Sequence, residues 1–75
     1  MRHLDTRVSP RNYAGPKTER RIYEVYGDDG YKEYWVETRA LDGSVKATWK
    51  YGFKTYDNAK NWAGIWPTPS EYFNV

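Results

Sequence analysis

The sequence predicts an α+β domain: an antiparallel three- or four-stranded sheet with one face packed against a C-terminal helix. Two observations carry the prediction. Residues 21–53 alternate apolar and polar side chains in runs broken by Asp-Gly pairs, the pattern of half-buried strands joined by hairpins. Immediately after them, Ala59, Trp62, Ala63 and Trp66 repeat with helical period. A chain of 75 residues makes one domain with a thin core.

The expected elements follow in order. Residues 1–20 form a basic, Pro-containing segment that reads either as an edge strand around Leu4, Thr6 and Val8 or as a mobile arm. Residues 21–53 form the sheet. Asp42-Gly43, taken as a two-residue type I′ turn, sets Val36 opposite Trp49 and Tyr34 opposite Tyr51. One face then reads Tyr34, Val36, Thr38, Ala40, Val45, Ala47, Trp49 and Tyr51, and the other Glu33, Trp35, Glu37, Arg39, Lys46, Thr48 and Lys50. Upstream, a turn at Asp29-Gly30 sets Val25 opposite Tyr34. It is preferred to a Gly27–Gly30 loop, which would oppose Glu24 and Glu33. Either turn sends Ile22, Glu24 and Tyr26 to the outward face. The helix spans 55–66, with Thr55 as N-cap, Asp57 at its positive end, and Gly64 and Pro67 closing it. Residues 67–75 are a tail that wraps back through Tyr72 and Phe73.

Composition narrows the function. Absence of cysteine removes disulfide and thiolate-metal bracing, and aromatics, 19% of residues, supply the apolar mass instead. There is no apolar leader and no run long enough to span a bilayer, so no membrane association is expected. Residues 1–21 hold six Lys/Arg against two Asp/Glu, a net of +4, and residues 22–75 six against eight, a net of −2.

The outward face gathers aromatics and charges, with Tyr26, Trp35, Glu24, Glu33 and Glu37 toward one side. It reads either as a solvated sheet face or as a rimmed aromatic contact surface. Catalysis is not expected. On a flat sheet nothing excludes water from the glutamates or raises a pKa, His3 is the only imidazole, and GDDG is a turn, not a phosphate loop. No metal and no cofactor is expected.

The run VYGDDGYKEYWVETRALDGS, followed by FKTYDNAKNW, resembles the small phage-encoded anti-CRISPR proteins that inhibit the type I-F surveillance complex. The shared features are Val-Tyr before a first glycine turn, Val-Glu inside the next strand, an Asp-Gly turn at the same spacing, and a capped helix carrying a Trp. The likeness spans residues 25–63, with a short insertion before the helix. It implies that Tyr26 and Glu37 contact the repeated backbone subunit of the complex, a host protein, in the bacterial cytoplasm. Trp35, Glu24 and Glu33 join them by hairpin geometry. Tyr13 is the nearest counterpart of a family tyrosine on the first strand, and SEYFNV is too short for the family's second helix. The implied mechanism is occupancy: acidic groups meet lysines that guide nucleic acid, and target DNA cannot pair with the guide RNA.

The alternative is a DNA-binding module. A sheet followed by a helix, with GFKTYDNAKNWA at the junction, is similar to AP2-type and integrase arm-binding domains, which insert the sheet into the major groove. The basic N-terminal arm and the Lys46–Lys50–Lys54 side suit that role, whereas Glu24, Glu33 and Glu37 oppose it.

Overall fold

The structure, a computed structural model, describes residues 1–66. Four antiparallel strands lie in sequential order: β1 (Arg2–Val8), β2 (Thr18–Tyr26), β3 (Lys32–Ala40) and β4 (Thr48–Phe53). Helix α1 (Tyr56–Ala63) packs on one face. Of the two readings of the N-terminal segment, the edge strand is the one present. β1 pairs with β2 from Arg2↔Glu24 to Val8↔Glu19, with an irregularity between His3 and Asp5. The expected tail, 67–75, lies outside the described residues.

The hairpin registers differ from expectation by one residue, and the cause is loop length. In the first hairpin Gly30 has φ 81°, and among the described residues no non-glycine has positive φ. The Gly30 N–H donates to the Gly27 carbonyl at 3.0 Å, and the Gly27 N–H to the Tyr31 carbonyl at 2.8 Å. This is a three-residue loop, Asp28-Asp29-Gly30, with a left-handed glycine at its end. An odd loop sets Ile22 opposite Val36 and Glu24 opposite Tyr34. A one-residue slip exchanges the two faces of a strand. Ile22 and Glu24 therefore point toward the helix side, and Tyr23 and Val25 away from it.

The second hairpin departs for a similar reason. Gly43 has φ 74° but Asp42 does not have positive φ, so a type I′ turn is absent. The Gly43 N–H closes a turn on the Ala40 carbonyl at 3.2 Å, and pairing resumes only at Thr38↔Thr48 and Glu37↔Trp49. Trp49 is thereby turned to the helix-free face. At Gly52, φ 80°, β4 gains an extra residue opposite the Tyr34–Val36 stretch. The bulge lets Tyr51 stay with Trp49 while Phe53 crosses to the core beside Tyr34.

Helix α1 forms where the sequence places it. Thr55 is extended, and its hydroxyl accepts the Asn58 N–H at 3.1 Å. The helix is shorter than expected because Gly64 caps it, its N–H reaching the Lys60 and Asn61 carbonyls. Ala59 and Ala63 are fully buried on Ile22, Val36 and Tyr34, with Leu4, Phe53, Tyr56 and Trp62 around them. Small residues on the helix let it sit close to the sheet. Among the described residues only Ile22 and Val36 are large and fully buried, so the core is thin. Arg20 fastens the helix end: its guanidinium lies 4.2 Å from the ring centroids of both Trp62 and Trp66. It donates to the Trp62 and Ile65 carbonyls at 3.2 and 2.6 Å and to the Thr38 hydroxyl at 3.1 Å. Burial between the two indoles pushes the Arg20 pKa below its ordinary value.

Candidate functional site

The helix-free face carries a row of rings that crosses the sheet. His3 and Tyr23 lie 5.4 Å apart by centroid, Tyr23 and Trp49 5.5 Å, and Trp35 and Tyr51 4.8 Å edge to face. Trp35 meets Trp49 at 6.2 Å, and Trp49 stacks on Tyr51 with planes 7° apart. The row exists because the register corrections bring Tyr23 and Trp49 to the side that Trp35 already occupies. Each ring shields its neighbours, yet Tyr51 remains 58% exposed, and the helix packs on the opposite face.

Charged groups are sorted along the strands. On one flank Glu19 is buried between two arginines, its Oε1 lying 2.9 Å from Arg21 Nη2 and 3.1 Å from Arg39 Nε. The Tyr23 hydroxyl, and then Glu19, hold Arg21 more firmly in its charged form. Beside the rings, Glu37 accepts a long hydrogen bond from the Tyr23 hydroxyl at 3.4 Å, and Glu33 accepts from the Trp35 indole N–H. On the other flank, at the first hairpin, Tyr26, Asp28, Asp29, Glu33 and Trp35 line an open trough of about 530 Å³.

The expected site residues divide. Trp35, Glu33 and Glu37 lie on the helix-free face as the sequence predicts. Glu24 does not: it is buried opposite Tyr34, 3.7 Å from the Lys32 ammonium, on the helix side of the sheet. Tyr26, opposite Lys32 and of the same parity as Glu24, is 64% exposed at the strand end and reaches the face only through the trough. Tyr13 packs edge-on against Trp66 at 5.1 Å, away from the aromatic row. The sequence reading missed Tyr23, Trp49, Tyr51, His3 and Arg21. The glycine in TWKYGF is the signal that separates Tyr51 from Phe53.

Among the described residues no cluster of His, Asp or Glu is arranged to hold a metal ion, and no helix is long and apolar enough to cross a membrane. The arrangement offers rigid rings with polar handles and two guanidiniums, the side chains that dominate protein contact surfaces. No family model, no curated protein and no solved structure matches the chain.

Proposed function

We propose that this protein is a non-enzymatic, protein-binding inhibitor that acts by occupancy through its helix-free face. The observation that carries the reading is the aromatic row across the sheet, flanked by Arg21 and Arg39 at one end and Glu33 at the other. Rings that bury large area at low entropic cost, rimmed by charge, form the anchor of a specific interface.

The resemblance of residues 25–63 to anti-CRISPR proteins supplies the target of the proposal: the backbone subunit of a type I surveillance complex, in the bacterial cytoplasm. Glu37 would meet a cationic side chain there, with Trp35 as desolvated anchor. Seated on that backbone, the protein blocks pairing of target DNA with the guide RNA. Incubation with purified complex, followed by target-DNA binding, tests this. Stable association and loss of target binding support it, and no association overturns it.

One observation favours a second reading, nucleic-acid binding. The true register removes Glu24 from the face and adds Arg21. A gel shift over a salt series separates the readings, because phosphate contacts weaken binding steeply as salt rises.

A further inference from the structure

We propose that the helix-free face also docks on a second copy of this chain, forming a face-to-face, two-fold symmetric dimer. The inference rests on the reading of this face as a contact surface, and the dimer would compete with any other target of it. An antiparallel sheet covered on one side by a short helix has an unused layer, and a second sheet is a standard way to cover it.

The charge pattern selects the occupant. Arg21 and Arg39, bridged by the buried Glu19 and with Glu37 opposite Arg21, sit at one end of the face, Asp28, Asp29 and Glu33 at the other, and the rings lie between. From Arg39 to Glu33 is six residues of extended chain, about 20 Å at ~3.3 Å per residue. A two-fold axis lying between two such faces, perpendicular to the strands, exchanges their ends. It places the Arg21–Arg39 pair of each copy over the acidic trough of the other and lays ring row on ring row. The contact is isologous, so every favourable pair occurs twice.

The groups at both ends are equipped for it. Arg39 engages Glu19 through Nε, and its side chain remains 41% exposed. Asp28 is exposed and lines the trough. A guanidinium entering the trough would meet carboxylates beside the Tyr26 and Trp35 rings, combining charge-assisted hydrogen bonds with cation–π contact. A nucleic-acid strand stacked along the same rings would carry its phosphates over Glu33 and Asp28, which repel them.

Sedimentation velocity from low to high micromolar concentration, with no other partner present, tests the dimer separately from the inhibitor reading. The wild type is expected to show a reversible monomer–dimer equilibrium. Arg21→Glu/Arg39→Glu gives two acidic ends, and Asp28→Lys/Glu33→Lys two basic ends. Each is expected to weaken its own dimer by at least about tenfold, and an equimolar mixture to recover a heterodimer. If the arginine variant fails to fold because Glu19 loses both partners, the lysine variant must still weaken the dimer in low salt. A wild type that stays monomeric, or a dimer that neither charge reversal weakens, overturns the proposal.

Discussion

Trp35 and Tyr51 meet edge to face, 4.8 Å apart by centroid, on the side of the sheet that the helix does not cover. Their contact belongs to the surface and not to the core. Trp35→Ala is therefore expected to cost only about 1 kcal/mol, the scale of one aromatic pair. Ile22→Ala, at a fully buried position facing Val36, is expected to cost about 2–5 kcal/mol. Urea unfolding of the two variants checks the contrast. With so thin a core, the second substitution removes a large share of total stability.

Gly52 makes the face possible. Its φ of 80° bulges β4 and keeps Tyr51 outward while Phe53 turns in. A Cβ at Gly52 would meet nothing within 4 Å, so the penalty for a side chain is backbone strain alone. Gly52→Ala is expected to lose about 1–2 kcal/mol, read as a lower urea midpoint with unchanged slope.

Arg20 between Trp62 and Trp66 fixes the end of the helix through its planar, multiply donating head. Lysine cannot reproduce three directed donations from one plane. Arg20→Lys is expected to destabilise by about 1–2 kcal/mol and to raise hydrogen exchange at Gly64 and Ile65 before the sheet.

Tyr56 predicts an alkaline limit. Burial, and then the nearby Asp5 carboxylate that accepts its hydroxyl at 3.3 Å, raise its pKa above the ordinary value of 10.0. A phenol whose folded pKa is raised contributes stability that is complete below the unfolded pKa. That contribution is lost as pH climbs from there through the folded pKa. Tyr56→Phe is expected to flatten the fall of the thermal midpoint above about pH 10, where an unperturbed phenol titrates.

The helix and the strand content were legible because their signals are local. Thr55 caps, Ala59 and Ala63 repeat on one side, and Tyr34 and Val36 fix the facing of β3 by themselves. Trp35, Glu33 and Glu37 follow from that facing. The strands on either side were harder, since their facing depends on whether a loop has an odd or even number of residues. Asp-Gly serves both the two-residue turn and the three-residue turn with a left-handed glycine. In RIYEVY both parities carry bulky side chains: Ile22 and Tyr26 on one, Tyr23 and Val25 on the other. Hydrophobic pattern alone cannot choose between them, and Glu24 was misplaced as a result. What decides the register is the buried Ile22–Val36 pair beneath two small helix residues.

The most direct test is a binding titration of purified type I-F surveillance complex with wild type, Trp35→Ala/Glu37→Ala, and a helix-surface control, Lys60→Ala. The account predicts tight binding by the wild type and the control. It predicts a loss of at least about tenfold, ~1.4 kcal/mol, for the double variant with its fold intact. A wild type that does not bind, or a double variant that binds as well as the wild type, would contradict it.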